Sequence, residues 1–347
     1  MILHGGRIII ITIILVIFFN GCAGRGSKQA TSAPAAREVS GKELFGAAGD
    51  LVRRENIQAF LVFRSGEYLW EQYAEDMDPE EIHVINSCTK SIVSLLIGTL
   101  FDRGLLDTVD TPVYTFFPEI APEELTERSK SLTLRHFLTM STGLASRDSY
   151  LYRWEGLRAV WNKKDWIRHI VSLPSEAPGG QRFDYSNLAS YLLGEIIRQK
   201  TGMDAEEYAL KTLFVPLGIT EYSWEKNPLG RSTGWGGLRL KPRDLVKIGQ
   251  LVLDRGRWQG RQLISEDWIE QSTRPWIKAG TLREYYGYQW WVDGEGRIMA
   301  LGYEGQYLIV DTVLKLVTVF ASSLREEDFF LPYEIYTAHV VPAAEKW

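Results

Sequence analysis

The chain has 347 residues, 45% of them hydrophobic and 24% charged, with 39 Lys and Arg against 44 Asp and Glu. A disordered chain is poorer in apolar side chains, a disulfide scaffold needs more than 2 cysteines, and a net charge of −5 offers no basic surface for nucleic acid. What remains is a globular protein of one large or two smaller units, with 12 Trp, 16 Tyr and 14 Phe to fill a core and line an apolar ligand cleft.

Taken in chain order, residues 1–22 read as an export signal and not as part of the fold. Arg7 supplies a positive start, and Ile8 to Phe19 form an apolar run broken only by Thr12. That run is too short to span a bilayer comfortably and suits a signal-peptide core. It ends in Phe19-Asn20-Gly21-Cys22, which resembles a bacterial lipobox. The resemblance implies a lipid on Cys22 that anchors the mature protein to a membrane, and Ala23 after it implies the outer membrane of a periplasmic lipoprotein. Residues 23–44, small and polar at their start, read as a flexible tether. Residues 45–347 read as the folded domain. With Cys22 lipidated, Cys88 is left without a disulfide partner.

Ile57–Arg64 and Glu67–Tyr73 flank Ser65-Gly66 and predict two strands around a tight turn. From Ser91 to Leu105 the chain is apolar on nearly every face, which predicts a buried helix stopped at Gly104. Between about 105 and 275, helical patterns alternate with loops: Thr133–Met140, Leu188–Lys200, Ala205–Leu213, Pro242–Asp254 and Glu266–Ser272. Strand signals return at Tyr288–Val292, Arg297–Leu301, Gln306–Val310 and Leu316–Ser322, and Leu331–Val340 is amphipathic. Strands at both chain ends with helices between them predict an α+β fold. It is one antiparallel sheet built from the two ends and flanked by helices, with a mainly helical region inserted.

Three motifs bear on chemistry. Gly230-Arg231-Ser232-Thr233-Gly234 spells a nucleophile elbow but lacks the strand before it and the helix after it, so it reads as a glycine-rich loop. Serine three residues before lysine occurs twice. Ser223–Lys226 runs at once into Asn227-Pro228, which stops a helix. Ser87-Cys88-Thr89-Lys90 instead opens the buried helix, where residues three apart share a face and Lys90 reaches the Ser87 hydroxyl. The helix N-terminus favours an oxyanion there, and a buried lysine sheds its proton readily. The plainer reading is an N-cap serine and a snorkelling lysine. Tyr185-Ser186-Asn187 follows a Pro-Gly-Gly turn and precedes a helix, so a phenol and an amide are placed on a loop lip.

Ser87-x-x-Lys90, then Tyr185-x-Asn187, then a glycine turn between late strands resembles the serine β-lactamase and penicillin-recognising fold. It is closest to the class C-related family VIII carboxylesterases and 6-aminohexanoate-dimer hydrolases. Thr133–Leu144, Gly236–Leu245 and Tyr286–Trp291 are similar to further signatures of these hydrolases, in the same order, over about residues 50–340. The resemblance implies that Ser87 is acylated, that Lys90 and Tyr185 move its proton as a coupled pair, and that Asn187 positions the substrate. It also implies that the N–H groups of Ser87 and Gln306 hold the oxyanion, with Gly305 letting substrate approach the strand. Gly302-Tyr303-Glu304-Gly305-Gln306 stands where the family carries Lys-Thr-Gly. Tyr303 therefore replaces a cation that pairs with substrate carboxylates, and Glu304 adds a negative charge, so the expected substrates are small esters or amides without a carboxylate. Trp235, Tyr288, Trp290 and Trp291 are expected to line the acyl pocket. Cys88 is expected to point into the packed side as an inert thiol. The histidines have no ligand spacing, and neither a metal nor a cofactor is assigned. Two other functions stay open: a β-lactamase or D-alanyl-D-alanine carboxypeptidase, and an envelope protein that binds without catalysis.

Overall fold

The computed structural model describes residues 41–280 and 283–347; the segment read as an export signal, with Cys22, lies outside them. Helix α1, Gly41–Arg54, comes first. It starts four residues inside the segment read as a tether, because Phe45, Ala48 and Val52 form a short apolar stripe that packs on the sheet.

The main sheet contains β1 (Ile57–Arg64), β2 (Glu67–Tyr73), β3 (Trp291–Val292), β4 (Arg297–Gly302), β5 (Gln306–Asp311) and β6 (Leu316–Ser322). Its order is β3-β4-β5-β6-β1-β2, and each neighbouring pair is antiparallel. The first and last of the described strands thus pair inside the sheet, with Phe60 opposite Phe320 and their rings stacked at 4.9 Å. β5 and β6 are buried at every residue because both faces are covered, and their middles are mostly apolar without alternation. Ala59, Leu61, Leu308, Val310, Val317 and Val319 face one core. Phe60, Val62, Tyr307, Ile309 and Phe320, one residue out of phase, face α1 and the C-terminal Leu331–Val340 segment.

Helix α2, Thr89–Asp102, runs through the larger core, and its residues from Thr89 to Leu100 are all buried. It is sandwiched between the sheet and the inserted helices, which is why it shows no polar face. Helix α3, Asn187–Thr201, packs along it, and α4, Pro242–Leu253, covers β5 and β6. A small sheet joins His83–Val84 to Leu238–Leu240 beside the start of α2.

One expected strand is shorter than its sequence suggests. Within Tyr288–Val292 only Trp291 and Val292 pair with the sheet. Tyr288 N–H donates to Ser272 O at 2.8 Å and Gln289 N–H to Leu138 O at 3.0 Å, so the backbone is taken by the helical region before it reaches the strand. Gln289, at φ 64°, makes the bend.

Candidate active site

Ser87 sits on a single turn, Asn86–Cys88, that leads directly into α2. Asn86 is left-handed at φ 45°, a conformation that costs a non-glycine residue roughly 1–3 kcal/mol. Its side chain holds it there, since Asn86 Nδ2 donates to Tyr303 O at 2.8 Å. The strand end comes this close because residue 302 is glycine: a Cβ there would lie 2.5 Å from Ile85 O. Ser87 is half-buried at the surface of this turn. Cys88 points inward as expected, with Sγ 3.7 Å from Gln306 O, and burial pushes its thiol up. That contact also brings the backbone of Gln306 beside the Ser87 turn.

Lys90 is 1% exposed and has three oxygen partners. Its Nζ lies 3.0 Å from Ser87 Oγ, 2.8 Å from Asn187 Oδ1 and 2.8 Å from Trp235 O. Desolvation pulls its ionisation down from 10.5 to about 7, against the opposing charge of Asp148. Of the three partners, two are carbonyl oxygens that only accept; the Ser87 hydroxyl alone can give a proton back. Once Lys90 is neutral, its lone pair therefore has one O–H to face, and that O–H belongs to Ser87.

The loop carrying Tyr185 is pinned by Asp184 N–H to Met140 O at 2.7 Å and by Ser186 N–H to Met140 Sδ at 3.3 Å. The Tyr185 ring stacks on Trp291, centroids 6.0 Å apart, and Lys90 Nζ lies 4.8 Å from its centre. Burial pushes the phenol well up, and hydrogen bonding with the Ser87 side chain is the one influence that brings it down. At neutral pH the phenol is therefore a proton donor and not a phenolate. The hydroxyl, amine and phenol converge on one spot.

Asn187 is more deeply engaged than its motif suggests. It is buried, its Oδ1 accepts from Lys90, and its Nδ2 donates to Asp148 O at 2.6 Å. The second N–H of that amide makes no hydrogen bond among the described residues. Gln306 is also buried, its Oε1 accepting from Ser322 N at 3.2 Å and lying 3.1 Å from His83 Nε2, which leaves its backbone as the part facing the turn. Gly305, at φ 80°, shapes the hairpin between Tyr303 and Gln306.

Of the expected pocket residues, two lie elsewhere. Trp290 is 0% exposed and belongs to the core. Tyr288 is 1% exposed, accepts from Arg135 Nη1 at 2.6 Å, and stacks on Trp276 near Phe101, at the opposite end of α2 from Ser87. Both are displaced by the bend at Gln289. Trp235 serves the site through its carbonyl, while its ring packs on Trp166 at 6.0 Å. Tyr303 is at the mouth, 37% exposed, edge-on to Trp154 at 5.4 Å and to Phe329 at 4.7 Å. Burial, then Glu326 and Glu304, push its phenol up. Neither Trp154 nor Phe329 is marked by any pattern in the sequence.

Asp148 has no sequence signal either. It is 0% exposed, and its carboxylate accepts from Ser146 Oγ at 3.1 Å, Ser186 Oγ at 3.1 Å and Leu188 N–H. Burial raises its carboxyl to about 6. Among the described residues, no group of three His, Cys, Asp or Glu could hold a metal ion, and no helix is long and apolar enough to cross a membrane.

A family model described as Beta-lactamase matches residues 52–341. The 6-aminohexanoate-dimer hydrolase of Paenarthrobacter ureafaciens is 27% identical over 308 residues, covering 78% of this chain and 73% of that one. Esterase EstB of Burkholderia gladioli is 26% identical over 183 residues, 46% of this chain and 45% of its own. Two of the solved structures that share the fold illustrate it. The octameric penicillin-binding protein homologue from Pyrococcus abyssi superposes with a TM-score of 0.67 at 21% identity, covering 86% of this chain and 77% of that one. The penicillin binding protein from Bacillus halodurans gives 0.66 at 18% identity, covering 83% and 99%.

Proposed function

The chain belongs to the beta-lactamase family, and on that premise we propose that it is a serine hydrolase that forms an acyl-enzyme on Ser87 and cleaves small esters or amides lacking a carboxylate. The observation that carries this reading is the 3.0 Å contact between Lys90 Nζ and Ser87 Oγ, made by a lysine whose other partners can only accept. Neutral Lys90 takes the Ser87 proton as Oγ attacks the substrate carbonyl carbon. The tetrahedral oxyanion is held by the N–H groups of Ser87 and Gln306. Tyr185 gives its proton to the leaving oxygen or nitrogen and regains one from Lys90, leaving the acyl group on Ser87. Water then attacks the acyl carbon, its proton passes back through the same pair, and the acid leaves as Ser87 Oγ is reprotonated.

Tyr303 supports the substrate class. A lysine at that place would form a charge-assisted hydrogen bond worth about 1.5–3 kcal/mol with a carboxylate, a tenfold to hundredfold preference. Tyr303 offers a neutral phenol flanked by Glu304 and Glu326. The relatives named as a hydrolase of 6-aminohexanoate dimer and as an esterase agree with ester or amide cleavage. We also propose that the protein is exported and held at a membrane by lipid on Cys22, the reading carried by Gly21-Cys22 after the apolar run.

The test is incubation with a fluorophosphonate probe followed by intact mass and peptide mapping, beside a panel of short p-nitrophenyl esters and nitrocefin. One adduct on Ser87, none in Ser87→Ala, and ester turnover above nitrocefin turnover are expected. Faster nitrocefin turnover would favour a β-lactamase, and no adduct at pH 8 would leave a binding protein.

A further inference from the structure

We propose that Asp148 is the positioning residue of this site, holding the start of α3 and the Asn187 amide in the one orientation that presents a carbonyl oxygen to Lys90. The proposal rests on the reading of Ser87 and Lys90 given above, and goes beyond it by giving a role to a carboxylate that touches neither the substrate carbonyl nor Ser87.

Two sets of contacts converge on residue 148. Its backbone oxygen accepts from Asn187 Nδ2 at 2.6 Å, and an amide nitrogen drawn to that carbonyl leaves Oδ1 turned to Lys90, 2.8 Å away. The reverse orientation would set the amide N–H groups against the lysine ammonium, donor against donor. Its side chain accepts from Ser186 Oγ, and Ser186 Oγ in turn accepts from Ala189 N–H at 3.1 Å as the N-cap of α3. The same carboxylate oxygen takes Leu188 N–H, and the other takes Ser146 Oγ. Asp148 is thus tied to residues 186, 187 and 188 in succession, the segment that aims Tyr185 and Asn187 at Ser87.

A carboxylate does more here than an amide would. Lys90 is 1% exposed, and Asp148, itself fully buried, is the acidic carboxylate acting on it. The other ionisable groups facing the lysine are Cys88 on its own segment and Tyr185 on the loop before α3, both held in their neutral forms by burial. Asp148 therefore favours the ammonium and opposes the desolvation that empties it.

These two contributions separate by substitution. Asp148→Asn is the same size, and its hydrogen bonds can be met: the amide oxygen keeps Leu188 N–H and Ser186 Oγ, and the amide nitrogen donates to a rotated Ser146 hydroxyl. Only the charge is lost. With the charge gone Lys90 gives up its proton at lower pH, so the acid limb of kcat/KM for a neutral p-nitrophenyl ester moves to lower pH by half a unit or more. Asp148→Ser, smaller and also neutral, must move the limb the same way while kcat falls at least tenfold because the start of α3 is no longer held. A residue that merely supported the fold would lower the amount of active enzyme and leave the limb where it is.

The assay records fluorophosphonate labelling rate against pH from 5 to 9 in the full chain, with thermal melting of each variant alongside. Movement of the midpoint to lower pH in both variants supports the proposal. An unmoved midpoint, or movement to higher pH, with Ser87 still labelled overturns it and leaves the Ser87 assignment intact. Wild-type labelling on a residue other than Ser87 overturns that assignment and this proposal with it.

Discussion

The titration of Lys90 is the sharpest consequence of the site's geometry. An ordinary lysine at 10.5 is neutral in about one molecule in three thousand at pH 7, whereas one at about 7 is neutral in half. Burial thus raises the reactive fraction about a thousandfold, and it does so beside Ser87, the one of the amine's three hydrogen-bond partners able to return a proton. The direction is fixed: the neutral form is the base, so activity rests above the folded value and is lost as pH falls through it. In wild-type enzyme, kcat/KM for a neutral ester should fall tenfold per unit below about pH 7 and level off above it. Lys90→Arg, whose guanidinium stays charged at every accessible pH, should lose at least a thousandfold in acylation rate while Ser87 remains in place. Stopped-flow release of p-nitrophenol between pH 5 and 9 measures both. A wild-type profile flat from pH 5 to 7, or an Arg variant within tenfold of wild type, would refute the assignment of Lys90 as the base.

Tyr185→Phe keeps the ring stacked on Trp291 and removes only the proton, so kcat should drop about 10²–10⁴-fold with little change in melting temperature, read by steady-state kinetics and calorimetry. Tyr303→Lys combined with Glu304→Gln restores a cation at the cleft mouth, and the kcat/KM ratio for a carboxylated ester over its methyl ester should rise tenfold to a hundredfold. An unchanged ratio would place the carboxylate's contact elsewhere. Gly98→Ala tests the core apart from the chemistry. The added methyl collides with Trp268, which is stacked on Phe101 and donates to Ser94 O at 3.0 Å, so urea unfolding should show a loss of about 1–3 kcal/mol.

Much of the fold was legible because its signals are local. Strand runs at the two chain ends bounded by turn residues, the stop at Gly104 and the apolar run of α2 needed no distant contact to be read, and β1, β2 and β6 begin and end where the pattern places them. The strand expected at Tyr288–Val292 shows the limit. Its apolar residues suit a strand, but Ser272 and Leu138 offer carbonyls that take its N–H groups first. The same competition moved Tyr288 and Trp290 out of the cleft. Trp154 and Phe329 entered it from loops, by packing on Tyr303 from either side.

By itself, the order of residues determined that a serine and a lysine share one face at the start of a buried helix, because three positions along a helical path make less than a full turn. It could not determine what surrounds the lysine. Trp235 and Asn187 lie 145 and 97 residues away in the chain, and Asp148 is tied to this start of α3 across 38 to 40. Exclusion of water and the approach of a distant carboxylate are collective effects of packing: the first pulls the amine's ionisation down to near neutrality, and the second holds it from falling further.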